Sequence, residues 1–216
     1  MRLRVLDEER KEEVREPYVV RLWGWTLERY LEEAPENAFC EFARGEVIMY
    51  SPVSAEHQDL AGFLQWLLKG YCEAKGWGRV LTGPAAVRIL PDVIREPDIF
   101  VFPPEEAPKV KGAPIEAKPC LVVEVTSPWT RAIDLGEKAR DYEQAQIPEY
   151  WVVDREEGRV LAHTLTEKGY KVKALKGGRL ESKALPGFWI DVGWLFQDPL
   201  PPASECLRKI LRGERP

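Results

Sequence analysis

The chain has 216 residues, 44% of them apolar and 10% aromatic with eight Trp, which at about 150 residues per domain suits one domain with extensions and excludes wholesale disorder. Lys and Arg number 31 against 36 Asp and Glu, a net charge of −5, so a generally basic nucleic-acid protein is excluded and any contact with a polyanion must be local or metal-assisted. No apolar run reaches the roughly 18 residues of a membrane span, and residues 1–17 lack the apolar centre of a signal peptide, so a cytoplasmic protein with no membrane partner is expected.

Residues 1–25 read as a charged extension. Thr26 is an N-cap for a short helix through Glu33, with Leu27, Tyr30 and Leu31 as its apolar stripe. Phe39 to Ala43 and Glu46 to Tyr50 read as strands joined at Arg44-Gly45. From Ser54 to Tyr71 the spacing of Leu60, Phe63, Leu64, Leu67, Leu68 and Tyr71 predicts a long helix, closed by Gly76 and Gly78. Strands are expected at Arg79 to Thr82, Ala85 to Leu90 and Asp98 to Phe102, then a Pro- and Lys-rich loop from Pro103 to Pro119. Cys120 to Thr126 is apolar on both faces, as in a central strand. With the helix Asp134 to Ala145 and the strand Glu149 to Asp154 it forms a βαβ unit. A hairpin, Arg159 to Leu165 with Tyr170 to Leu175, follows, and the chain ends in a short basic amphipathic tail from Ala203, in which Arg208, Lys209, Arg212 and Arg215 read as a solvated face. The domain division is 1–25 extension, 26–196 an α/β domain with a mixed sheet, and 197–216 tail helix.

GxGxxG, GxxxxGK[ST] and GxSxG are all missing, which removes the usual support for dinucleotide, P-loop and α/β-hydrolase readings. With two His, a histidine-rich metal site is excluded. Cys40, Cys72, Cys120 and Cys206 are scattered without a CxxC and read as core packing. A single Asn, two Met and 18 Pro among many charges match the composition of a heat-adapted source.

Two acids stand inside apolar strands where charge is costly, Asp98 in EPDIFVF and Glu124 in LVVEVT. On neighbouring strands they repel unless a cation lies between them, which points to a hard divalent ion or to structural ion pairing. Glu41 in FCEFA is a third strand carboxylate, either a ligand or on the solvated face. Lys138 lies four residues after Asp134 and four before Tyr142, on one helix face. It is either half of a surface pair worth a few tenths of a kcal/mol or a lysine aimed at a metal-bound phosphate. His57 reads as a capping or buried hydrogen-bonded residue before an acid or base, and Ser127 and Thr130 as caps of the Lys138 helix. Lys168 to Lys183 carries six basic residues and one acid. It suits a phosphate-tracking strand and a protected sheet edge equally.

The strings CEFARGEVIMYSPVSAEHQ, EPDIFVF and LVVEVTSPWTRAIDLGEKARDYEQAQIPEYWVVD together resemble the Uma-type putative restriction-endonuclease family, over about Thr26 to Phe196. The resemblance implies a PD-(D/E)xK, restriction-endonuclease-like core with flanking helices and extra hairpins. It implies that Asp98 is the Asp of PD, Glu124 the acid of the second half-motif and Glu41 the acid of the first hairpin, together holding Mg²⁺, with Mn²⁺ as a substitute. Cys40 and Ala43-Arg44 depart from the commoner neighbours of that hairpin acid, not from the acid itself. Thr126 stands where the motif lysine is expected, and Lys138 looks like its migrated substitute. The implied activity is hydrolysis of phosphodiester bonds in DNA by Glu41, Asp98, Glu124 and Lys138. The alternatives are a non-catalytic nucleic-acid or protein-binding module that keeps the fold, and a structural protein whose acids are ion-paired. Enzymes of this class commonly pair to cut two strands, so a homodimer is an expectation that no residue of the sequence supports.

Overall fold

A computed structural model describes residues 17–34 and 39–214, and the backbone of 5–7 and 12–14. Residues 1–4, 8–11 and 15–16 of the charged extension, and Arg215 of the tail, lie outside the described residues. Two short strands, β1 (Val5–Asp7) and β2 (Glu12–Val14), pair antiparallel with each other. From β3 (Val19–Trp23) the chain enters α1 (Leu27–Glu33), the hairpin of β4 (Cys40–Ala43) and β5 (Glu46–Tyr50), and the long helix α2 (Ala55–Lys75). Strand β6 (Arg79–Thr82), a second hairpin of β7 (Val87–Leu90) and β8 (Val93–Arg95), and β9 (Ile99–Phe102) precede β10 (Leu121–Val125). Helix α3 (Arg131–Ile133), a π-helical turn over Asp134–Lys138 and α4 (Ala139–Gln144) run on into β11 (Glu149–Asp154). The rest comprises β12 (Arg159–Thr166), β13 (Gly169–Leu175), β14 (Arg179–Glu181), β15 (Trp189–Asp191) and α5 (Ala203–Arg212).

Two sheets organise the core. The larger has six strands in the order β13-β12-β11-β10-β9-β6, with β10 and β11 parallel and every other pair antiparallel. The smaller has five antiparallel strands in the order β3-β5-β4-β8-β7. Strand β10 lies inside the larger sheet and is buried on both faces, as its unbroken apolar run requires. Val123 and Val125 face α2 and the C-terminal segment, while Val122 faces Tyr142 and Ile147 of the α4 side.

Local chemistry sets the element ends. The Thr26 hydroxyl accepts from Arg29 N at 3.1 Å and Ser54 from His57 N at 3.3 Å, capping α1 and α2. Gly76 closes α2 in the left-handed conformation, φ 58°. The β4–β5 turn takes positive φ at both Arg44 (50°) and Gly45 (87°), the tight geometry that suits the twist of flanking strands. All four cysteines are buried free thiols.

The structure departs from the sequence expectations in a few places. Asp98 is not inside a strand but directly precedes β9. The stretch Ala85 to Leu90 starts as a strand only at Val87, and Pro91-Asp92 turn it into β8, which was not expected. The helix of the βαβ unit starts three residues early and is interrupted by the π turn. Strands β3, β14 and β15 were also not expected; the last two have three residues each, too short for a period to show.

Candidate active site

Asp98 and Glu124 meet because β9 and β10 pair Ile99 with Val123, which brings both acids to the same end of neighbouring strands. They are tied by main-chain bonds in both directions. Asp98 N donates to Glu124 Oε2 at 3.3 Å, and Val125 N donates to Asp98 Oδ2 at 2.7 Å. The π turn places Lys138 over the pair. Its Nζ donates to Glu124 Oε1 at 2.9 Å and lies 3.3 Å from Asp134 Oδ1 and 3.4 Å from Glu41 Oε1. Tyr142, one turn on, donates to the same Glu124 Oε1 at 3.0 Å. Lys138 and Asp134 are thus buried, not the solvated pair that their spacing also allowed.

Glu41 enters from β4 of the other sheet, and its carboxylate is surrounded by donors. Oε2 accepts from Arg95 Nη1 at 2.7 Å and Tyr50 OH at 2.8 Å, and Oε1 accepts from Glu96 N at 3.0 Å. Arg95, fully buried, also donates through Nε to Asp141 Oδ2 at 3.1 Å. Burial alone would push the Glu41 carboxyl up, but Lys138 and Arg95 beside it hold it down at about 2. Glu124 goes the other way. Burial first, then the neighbouring Asp98, Asp134 and Glu41 carboxylates, outweigh Lys138 and raise its carboxyl to about 8. Glu96, pushed up by burial and by Glu41, also reaches about 8. The cluster holds more negative charge than its two buried cations neutralise.

These groups line one cleft of about 340 Å³, with Asp98, Glu124, Lys138 and Glu41 inside and Val53, Trp129 and Arg155 among the exposed lining residues. All four residues singled out from the sequence are therefore together. His57 joins them. Its Nε2 lies 2.7 Å from the Val125 carbonyl oxygen and 3.3 Å from Asp98 Oδ2. A carbonyl only accepts, so Nε2 carries the proton. Burial disfavours the imidazolium, yet the bonds to Asp98 and Val125 prevail and raise its pKa.

Ser127 and Thr130 cap the turn that leads into α3, with Ser127 O accepting from Arg131 N at 2.9 Å. They bond to each other, Thr130 N to Ser127 Oγ and Ser127 N to Thr130 Oγ1, both at 3.2 Å. Thr126, at the motif-lysine position, donates to Val153 O at 3.2 Å and accepts from Arg155 N at 3.1 Å. It stitches β10 to β11 and to the turn beyond. Sequence reasoning missed Glu96, Arg95 and Tyr50. Glu96 stands one residue before the Pro-Asp pair, a signal that was available; Arg95 ends an ordinary Val-Ile-Arg run and carries none.

Residues 27–193 match the family Uma2, described as putative restriction endonuclease. The chain belongs to this family. A crystal structure of a putative nuclease belonging to DUF820, from Anabaena variabilis, superposes with a TM-score of 0.68 at 14% identity, over 80% of this chain and 97% of that one. No curated protein matches. The fold is restriction-endonuclease-like, with the mixed sheet and flanking helices described above.

Proposed function

We propose that the protein is a metal-dependent nuclease that hydrolyses phosphodiester bonds in DNA at this cleft. The observation that carries the reading is the Lys138 ammonium, held by Glu124 beside the Asp98–Glu124 pair in a cleft with surplus negative charge. The donor chemistry fits a hard cation such as Mg²⁺ or Mn²⁺, because the inward-facing groups are carboxylate oxygens and two carboxyls are pushed up to about 8. Asp98 and Glu124 would hold the ion, and Glu41 would join them by releasing Lys138. When bound, such an ion supplies an activated water and neutralises charge on the phosphoryl oxygens.

The chain's own residues do the rest. Lys138, with a pKa well above its ordinary value through Glu124, Glu41 and Asp134 despite burial, keeps its proton and presents fixed positive charge where phosphoryl charge accumulates. Tyr142 and Lys138 hold Glu124 Oε1, leaving Oε2 turned toward Asp98. His57 fixes the Val125 carbonyl at the cleft floor. Among the described residues there is one such cleft, so cutting both strands of a duplex in a single encounter would take two copies.

A second reading, a binding module with the same fold and no catalysis, is favoured by one feature. Among the described residues no three Asp, Glu, His or Cys side chains stand ready around a single ion position. Calorimetric titration of Mg²⁺ and Mn²⁺ into wild type and Glu124→Gln, followed by incubation with supercoiled DNA, separates the two. The nuclease reading expects binding and cleavage in wild type and loss of both in Glu124→Gln. No metal binding by wild type would sink it in favour of the second.

A further inference from the structure

The mouth of the cleft is built for a base more than for a duplex backbone. A bound duplex is held mainly by several Lys or Arg contacts to phosphates. Among the described residues lining the cleft, Arg155 is the one exposed cation, since Lys138 is buried among acids. What the rim offers instead is apolar and aromatic surface: Trp129 is 56% exposed, Val53 is 41% exposed, and Tyr18 lies half-buried nearby.

Trp129 is also held in place. The loop that carries it is closed on itself by the paired bonds between Ser127 and Thr130, whose hydroxyls lie 3.1 Å apart. Arg131, two residues on, donates to Asp154 Oδ1 at 2.8 Å and to Oδ2 at 3.0 Å, which pins the loop to the end of β11. This loop joins the strand that carries Glu124 to the helix that carries Lys138. Trp129 and the acids therefore line the same cleft, the indole exposed at its rim and the acids inside.

We propose that Trp129 is a stacking platform for an unpaired base, so that the substrate is a single-stranded nucleic acid or an unpaired stretch within one. This rests on reading the cleft as that of a nuclease. A base in a duplex has both faces covered by its neighbours, whereas every unpaired base offers a free face, and stacking on an aromatic side chain is sequence-tolerant. Arg155 at the rim is placed for one backbone phosphate, and the acids stay out of contact with the base.

The test is fluorescence anisotropy with end-labelled phosphorothioate oligothymidylate, and with a duplex of the same length and backbone, in Mg²⁺ and in EDTA. Stacking is worth about 1–3 kcal/mol per base, so Trp129→Ala is expected to weaken single-strand binding about five- to 150-fold and leave duplex binding nearly unchanged. Trp129→Phe, which keeps an aromatic face, is expected to retain most of the affinity. Trp66→Ala removes another exposed indole, 46% exposed on α2, and is expected to change nothing. The proposal is overturned if wild type binds no single strand, if it prefers the duplex, or if Trp129→Ala behaves like Trp66→Ala. Cleavage of the unmodified oligonucleotide is scored in parallel. Trp129-dependent binding without cleavage in any divalent metal overturns the nuclease reading and keeps the platform, while cleavage with Trp129-independent binding does the reverse.

Discussion

Arg95 and Lys138 lie in the same buried cluster, yet their removal should have different consequences. Arg95 ties Glu41 of strand β4 to Asp141 of helix α4 and has no exposure of its own. Arg95→Met leaves both acids in low dielectric without their shared cation, and breaking a buried pair costs about 3–5 kcal/mol. Urea unfolding at neutral pH should show that loss; one below about 1 kcal/mol would mean water reaches the pair. Lys138→Met removes a charge from beside Glu124, whose carboxyl, raised to about 8, already carries its proton at neutral pH and so is not left as a bare buried charge. Its stability loss should be the smaller of the two. DNA cleavage should disappear while calorimetric Mg²⁺ binding persists, because Asp98 and Glu124 remain. Equal loss of metal binding would make Lys138 a structural residue. At this scale Asp98 and Glu124 were legible because charge inside an apolar run needs a reason. Glu41 was legible from its strand as a carboxylate that could be ligand or solvated, with only the resemblance favouring the ligand, and the burial of Lys138 was not legible, because the sheet that covers it is distant in sequence.

Elements were legible where their period is long. The boundaries of β11 match the expected strand Glu149 to Asp154, and the βαβ unit shows the parallel pairing of β10 with β11. The π turn was not legible, since Asp134, Lys138 and Tyr142 fit an ordinary helical face and π turns are rare. The lysine-rich strand β13 lies at the edge of the six-stranded sheet with Lys171 and Lys173 exposed, where charge discourages pairing with another chain. The end of β11 supports a prediction about pH. Asp154 accepts from Arg131 and from Arg159 Nε at 3.2 Å, and these arginines hold its carboxyl below the usual range. A carboxyl lowered in the folded state adds stability above its unfolded pKa of about 4, and the gain is lost as pH falls through the lower folded value. Asp154→Asn should therefore lower the Tm at pH 7 and converge with wild type as pH falls through the lowered folded value. A constant gap across that window would show that the pair contributes by hydrogen bonding alone.

Across the whole molecule, the six-stranded sheet is a wall with two unlike sides, and the cleft opens where its central strands end against the smaller sheet. On one side α2 covers the sheet and is itself covered by α5, which lies beyond the residues that match the family. Gly70 of α2 permits the close approach, since a Cβ there would stand 2.6 Å from Leu207 Cδ2. The basic positions Arg208, Lys209 and Arg212 are exposed as expected, while Cys206 and Ile210 of the same helix are buried in the main core. Ile210 is 2% exposed, and truncating a buried Ile to Ala costs about 2–5 kcal/mol. Ile210→Ala should lower the unfolding free energy by that amount, seen as a fall in the urea midpoint at unchanged m-value. Glu124 and Lys138 lie on the far side of α2 from this contact, so cleavage per folded molecule should not change. Amide exchange should quicken first in α5 and then along α2. If Ile210→Ala instead cut activity at temperatures where the fold is intact, α2 would have to carry strain from α5 to His57 at its first turn, and the cleft would depend on the whole layer rather than on the strand ends alone.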